Sequence, residues 1–166
     1  MTDSLNGLPD VFSDQQLMMS VLMTPSYANF AGRGHGGFLL KLLDEAAYIC
    51  AARYWGGYAI TAAMHEAQFM KPIFIGELLQ IYASVDYTGR SSMDISLNVV
   101  AENVQTKKLR YVHHCLVTMV AVDGDKKPVA VPPFMPQTEQ EKKRYEAARL
   151  RRELFQEYQD RIKQLV

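Results

Sequence analysis

The sequence predicts an α+β fold in which an antiparallel sheet wraps around one long buried helix, with a charged helix added at the C-terminal end. Three observations predict it. From Gly37 to about Tyr54, the residues Phe38, Leu39, Leu42, Leu43, Ala46, Ile49 and Cys50 recur at three- and four-residue spacings, the period of a helix with an apolar stripe. Four long β-type segments follow, at 58–70, 77–87, 91–103 and 109–123. Their connections are short and carry Pro72, Gly76, Gly89, Gly124 and Pro128, which favours antiparallel neighbours around one core.

In chain order, residues 1–14 read as a flexible leader, polar and acidic, with no apolar signal core. The stretch 14–23, DQQLMMSVLM, fits either a short helix or a strand. TPSYANFAGRGHGG is a loop, punctuated by Pro25 and four glycines. The buried helix follows and ends at Gly56-Gly57, as helices often do. The third β segment is the clearest, with Met93, Ile95, Leu97, Val99 and Ala101 alternating with mostly polar residues. After the breaker VPPFMPQ, the segment from Thr138 onward is charged and helical, and Thr138 with Glu141 has capping-box spacing. Tyr145, Leu154, Phe155, Tyr158, Ile162 and Leu165 are expected to line one side of it, against the body or a neighbouring subunit. The expected organisation is a leader at 1–14, a core domain at 15–135 and a C-terminal helix at 136–166.

The chain has 166 residues, 48% hydrophobic and 22% charged, with a formal net charge of zero. This is an ordinary globular composition, without the basic excess that nucleic acid or an anionic membrane would call for. No window approaches the ~20 apolar residues of a membrane span. Cys50 and Cys115 both sit in apolar runs, which suggests buried thiols in a reducing, cytoplasmic compartment. His113 and His114 are consecutive on a strand and face opposite sides, and no spacing resembles a zinc site, so no metal is expected.

The candidate chemistry centres on Asp44. At ~100° per residue it lies opposite the apolar stripe, bordered by Gly37, Leu40, Lys41, Ala47, Tyr48 and Ala51. Small residues around a carboxylate leave room for a substrate or another backbone. An i,i+3 pair of Asp44 with Lys41 is the plainer alternative. Gly36 and Gly37 at the helix start expose N–H groups that, with the helix dipole, favour an anion or a developing oxyanion. An acid beside such a hole suits attack of water on a carbonyl.

ANFAGRGHGGFLLKLLDEAAYICAARY resembles the helix motif of the hotdog-fold acyl-CoA thioesterases. FMKPIFIGELLQIYASVDYTGRSSMDI is similar to the strand–turn–strand of that family, and TMVAVDGDKKPVAVPP to its last strand and exit. The resemblance runs from about residue 20 to about residue 150 and implies hydrolysis of acyl-CoA to free acid and CoA. It also implies a site shared between two hotdogs, so a single-hotdog chain needs a homodimer, with further assembly as a trimer of dimers. Carried onto this chain, Asp44 is the general base or, less simply, a nucleophile, and Asn29 of the other subunit orients water or thioester. Gly37, with Gly36, polarises the thioester carbonyl. The turn Gly89-Arg90-Ser91-Ser92 offers a guanidinium, hydroxyls and N–H groups to the phosphates of CoA, with Lys71 a weaker contact. Thr61 is expected to face the helix and to hydrogen-bond near Asp44. No cofactor is expected, since coenzyme A belongs to the substrate.

Other readings are weaker. His35 suits a structural role in its turn, and His65-Glu66 a satisfied polar pair. A hotdog hydratase would have a histidine close to the acid, and Asp44 has none within a turn or two. A non-catalytic acyl-CoA-binding sensor remains the rival class; regulators of that kind carry a DNA-binding module, for which ~20 preceding residues are too few.

Overall fold

The computed structural model describes residues 16–165. The leader expected at 1–14 lies outside the described residues. Five strands, β1 (Gln16–Leu22), β2 (Ala59–Phe69), β3 (Glu77–Thr88), β4 (Ser92–Asn103) and β5 (Lys108–Ala121), form one antiparallel sheet in the order β1-β3-β4-β5-β2. The helices are α1 (Gly36–Trp55) and α2 (Glu139–Lys163). The ambiguous stretch 14–23 resolves as a strand, so the sheet has five members where four were read. β1 pairs with β3 from Gln16 opposite Ser84 to Leu22 opposite Leu78. Only a tertiary partner chooses strand over helix for so short an apolar run.

The sheet's inner face takes Leu79, Ile81, Ala83 and Val85 from β3, and Met93, Ile95, Leu97 and Val99 from β4, all buried. These close on α1, whose Leu39, Leu42, Leu43, Ala46, Ala47, Cys50 and Ala51 are also buried. Burial of α1 is therefore wider than one stripe, as for a helix that a sheet wraps around. Its end is set by Gly56, which adopts the left-handed φ of 86° and donates its N–H to the Ala52 carbonyl.

α2 crosses the sheet's outer face. Thr138 and Glu141 form the expected capping box. Arg144 Nε donates to Asp86 Oδ1 at 3.0 Å, and Arg152 donates to both Asp94 oxygens and to Ser92 Oγ. Tyr145 packs on Tyr87 and Phe134. Ala148 is the buried residue of α2 among those described, and although Arg152 and Phe155 still reach the sheet, Leu154, Phe155, Tyr158 and Ile162 stay exposed. Among the described residues no helix is long and apolar enough to cross a membrane. Cys50 and Cys115 are buried and form no disulfide, and burial pushes their thiols up to about 12 and about 11.

Candidate active site

Asp44 projects from α1 toward β2. Thr61 Oγ1 donates to Asp44 Oδ1 at 2.5 Å, the contact expected of Thr61. A hydroxyl bonded to a carboxylate is a charge-assisted hydrogen bond, and it fixes the rotamer of the acid. The alternative reading, a Lys41–Asp44 pair, is not what forms. Lys41 pairs instead with Glu45 at 3.2 Å. Of the small residues beside Asp44, Gly37 is exposed, whereas Ala47 and Ala51 are fully buried. The two alanines let β2 approach the helix closely enough for Thr61 to reach the acid.

The Asn29 loop is built around its own side chain. Asn29 Oδ1 accepts from the N–H groups of Ala31 (2.9 Å) and Arg33 (3.2 Å), an Asx-type turn. The amide nitrogen makes no hydrogen bond among the described residues and stands ready to donate. Two further bonds tie the loop down, Gly34 N–H to the Ile73 carbonyl and His35 N–H to the Tyr27 carbonyl, both 2.8 Å. Phe74, beneath it, carries the guanidinium of Arg33 on its ring at 5.9 Å and that of Arg110 at 5.2 Å. Arg110 in turn donates to both oxygens of buried Glu77 at 2.7 Å. That pair, whose two members are 33 residues apart in sequence, supports the loop and carries no local sequence signal. Phe30, next to Asn29, is fully exposed.

His35 is the N-cap of α1. Its Nδ1 accepts from Gly37 N–H at 3.0 Å and from Phe38 N–H at 3.4 Å, the structural role expected of it. The Gly37 N–H is therefore engaged within the chain, whereas the Gly36 N–H has no partner among the described residues. The helix also separates the groups expected to act together. Gly36 and Asp44 are eight residues apart, about 12 Å along the axis at 1.5 Å per residue. One chain thus places Asn29 with Gly36 at the start of α1, and Asp44 with Thr61 farther along.

The turn at Gly89-Arg90-Ser91-Ser92 lies at the Asp44 end of the sheet. Met93 of β4 pairs with Met119 of β5, which pairs with Thr61 of β2. Arg90 is exposed and makes no ion pair among the described residues. Ser92 Oγ is already taken by Arg152, so the turn offers a phosphate one fewer hydroxyl than expected. Lys71 follows the far end of β2 and does not meet Arg90 within one chain. The expected His65–Glu66 pair does not form either. His65 Nε2 meets Thr118 Oγ1 at 3.3 Å, while Glu66 holds a left-handed φ of 49° where the β2–β5 register shifts. A groove of about 570 Å³ lies between α2 and the outer face, lined in part by His65, Asp94, Arg152 and Phe155. It is on the opposite side of the sheet from Asp44. Among the described residues no cluster could hold a metal ion.

Residues 31–108 match the model of the thioesterase superfamily. The chain is also 39% identical to protein VdlD of Helicobacter pylori over 145 residues, 87% of this chain and 83% of that protein. The chain belongs to the thioesterase superfamily. Two solved structures agree with the fold of this thioesterase. One is an apo-hexameric acyl-CoA thioesterase, with 32% identity, a TM-score of 0.83, and coverage of 86% of this chain and 92% of that one. The other is the acyl-CoA hydrolase of Staphylococcus aureus in complex with butyryl-CoA, CoA and CoA disulfide, with 31% identity, a TM-score of 0.81, and coverage of 90% and 91%. Structures of that hydrolase include variants in which one aspartate, one asparagine or one threonine is replaced by alanine. The hotdog architecture read from the sequence is the one observed, and the protein is an enzyme of the thioester hydrolase class.

Proposed function

We propose that this enzyme hydrolyses acyl-CoA to free fatty acid and CoA in sites shared between two copies of the chain. The observation that carries the reading is the split of the machinery. Asp44 is held by Thr61, Asn29 has an amide nitrogen free to donate, and Asp44 lies about 12 Å along α1 from Gly36, at the helix start that the Asn29 loop leads into. Pairing across a two-fold axis brings Asn29 of one subunit to Asp44 of the other, twice per dimer. The exposed edge strand β2 supports this pairing. Its Ile60, Met64 and Phe69 are exposed apolar residues on an unpaired sheet edge. Exposed Phe30 beside Asn29 is a further apolar group awaiting a partner surface.

In the proposed reaction Asp44 takes a proton from water as the water attacks the thioester carbonyl. Asn29 of the other subunit orients the water or the thioester, and the Gly36 N–H polarises the carbonyl at the helix start. Gly37 joins it only where His35 releases the N–H it now holds. The C–S bond breaks, and the departing thiolate, a good leaving group, takes up a proton. A carboxylate nucleophile forming an anhydride is the variant mechanism. Arg90, with the Ser91 N–H, meets the phosphates of CoA, while the Gly89 N–H is held by the Ser92 carbonyl at 2.8 Å, and Lys71 of the other subunit approaches the same substrate. The reaction needs no cofactor. Further assembly into a trimer of dimers is supported by the hexameric relative, and the reduced buried cysteines suit the cytoplasm. The aspartate, asparagine and threonine replaced in the Staphylococcus aureus hydrolase are the residue types of Asp44, Asn29 and Thr61.

The test is hydrolysis of a panel of acyl-CoA chain lengths, followed by thiol release. Asp44→Ala is expected to lower kcat by about 10²–10⁴-fold, and Asn29→Ala to lower it as well. Near-wild-type turnover in both variants would overturn the assignment.

A further inference from the structure

The helix α2 on the outer face reaches the turn assigned above to the phosphates of CoA, and one side chain makes the connection. Arg152 Nη2 donates to Ser92 Oγ at 2.7 Å and to Asp94 Oδ1 at 3.1 Å, and its Nε donates to Asp94 Oδ2 at 2.5 Å. The same guanidinium lies over the Tyr87 ring, 4.9 Å from the centroid. It therefore touches the hairpin on both sides of its turn, at Tyr87 on β3 and at Ser92 and Asp94 on β4. Asp94 is itself fixed, because its Oδ1 also accepts from Thr118 Oγ1 of β5 at 2.9 Å. A planar fork seated on a fixed carboxylate has little freedom, and so Ser92 is held in one place.

Gly89 makes room for this contact. A Cβ at position 89 would stand 2.7 Å from Ser92 Oγ and 3.0 Å from Arg152 Nη1. The carbonyls of Arg90, Ser91 and Ser92 accept from the N–H groups of Val131, Ala121 and Gly89 at 2.9, 2.9 and 2.8 Å. With its carbonyls engaged in the chain, the turn keeps the N–H groups of Arg90 and Ser91 without an acceptor among the described residues. Successive free N–H groups of this kind suit an anion. Arg152 adds no net charge for that anion, because Asp94 matches it. It acts on the site in another way. Without it, the Asp94 carboxylate would stand uncompensated two residues from Ser92 and would repel phosphate.

We propose that Arg152 is a positioning residue for the CoA end of the substrate, holding the turn at residues 89–92 in the shape that receives phosphate and cancelling the charge of Asp94. The proposal rests on the thioesterase reading above, in which Arg90 and the Ser91 N–H meet the phosphates. It deepens that reading by giving α2 a share in recognising the substrate. Arg152 acts through the turn and touches neither Asp44 nor Thr61. Its loss should therefore weaken the hold on the nucleotide end and leave the chemistry at the thioester unchanged. The helix itself stays attached without it, through Arg144 on Asp86, Tyr145 on Tyr87 and buried Ala148.

The experiment compares wild type, Arg152→Met and Arg90→Ala in kcat and KM, with thermal melts to show that each variant is folded. Two substrates are used, an acyl-CoA and the matching acyl-pantetheine, which lacks the nucleotide and its phosphates. Arg152→Met is expected to raise KM for acyl-CoA by about 10-fold, with kcat little changed and the acyl-pantetheine kinetics equal to wild type. Added to Arg90→Ala, the same substitution should cost less than it does alone, because both act on one phosphate contact. A wild-type KM for acyl-CoA would overturn the proposal. An equal loss on both substrates would overturn it too, since that marks a merely structural support. Should Arg152→Met fail to fold, Arg152→Lys keeps a cation beside Asp94 without the fork that bridges to Ser92. A rise in KM confined to acyl-CoA then supports the proposal, and no rise overturns it. The two readings fail separately. An enzyme that releases no thiol from any acyl-CoA refutes the thioesterase assignment. A raised KM in Arg90→Ala beside a wild-type KM in Arg152→Met refutes only the role of Arg152.

Discussion

Two inactive variants should rebuild an active enzyme when mixed. In the proposed dimer each site takes Asn29 from one chain and Asp44 from the other. An Asp44→Ala homodimer then has no intact site, and neither has an Asn29→Ala homodimer. A mixed dimer has one intact site, built from the Asn29 of the first variant and the Asp44 of the second, and one site lacking both. Random pairing at equal amounts makes half the dimers mixed, each with half its sites intact, so activity should recover to about one quarter of wild type. The structural ground is the length of helix between Gly36 and Asp44, about 12 Å, too far for either group to serve a carbonyl at the other within one chain. The assay is thiol release from acyl-CoA after co-expression of two differently tagged variants, with purification over both tags. In a trimer of dimers, selection for both tags leaves about half the dimers mixed, so doubly tagged enzyme should still reach about one quarter of wild-type activity. Doubly tagged enzyme no more active than either parent would refute the shared site. Full recovery would refute it equally, because it would mean that the two residues need not meet.

The remaining predictions concern supports of the site. Thr61→Val removes the hydrogen bond to Asp44, and a bond to a charged group contributes about 1.5–3 kcal/mol. A fall in kcat of roughly 10–100-fold with KM little changed is expected, partly restored by Thr61→Ser, and steady-state kinetics on one acyl-CoA decides it. Arg144→Ala leaves the carboxylate of Asp86, whose side chain is 3% exposed, without its cation. Loss of one partner of a buried pair should cost about 3 kcal/mol, the low end of the range because Arg144 is 24% exposed. The melting temperature should then fall by roughly 6–12 °C. Burial already raises the Asp86 carboxyl above its ordinary range despite Arg144. Folding therefore takes up a proton there, and stability falls as pH rises from that range. Removing the cation extends the loss to higher pH, so the deficit of Arg144→Ala should be greatest near neutrality and shrink on acidification. Thermal melts at several pH values check the sign.

The helix and the clear strands were legible because their patterns are local. Leu39, Leu42, Leu43, Ala46 and Cys50 repeat with the helix, and β4 alternates cleanly. Thr61 beside Asp44 was legible as well, since a strand following a buried helix must pack on it. What escaped the sequence depends on contacts between distant segments. A periodicity argument sees only the helix's own wheel, and so read Ala47 and Ala51 as open space where β2 sits. It could not reveal that His35 turns back to hold the Gly37 N–H. The ion pairs of Arg110 with Glu77, Arg144 with Asp86 and Arg152 with Asp94 join residues 33, 58 and 58 positions apart. Each looks like a surface charge until its partner strand is in place. His113 was read for its alternation with His114, which says which way it faces but not that it is fully buried.

Asn29 divides one carboxamide between two tasks. Its oxygen folds the loop that presents it, and its nitrogen, unbonded among the described residues, is the part that the proposed reaction uses. No near-isostere can do both. Aspartate would keep the acceptor that closes the turn, but would set a second carboxylate against the partner subunit's Asp44. Glutamine would keep the donor on a stem too long for the turn. Mutational tolerance at position 29 should therefore be lower than at Asp44 itself, where glutamate retains the carboxylate. The residue that merely assists is the harder one to replace.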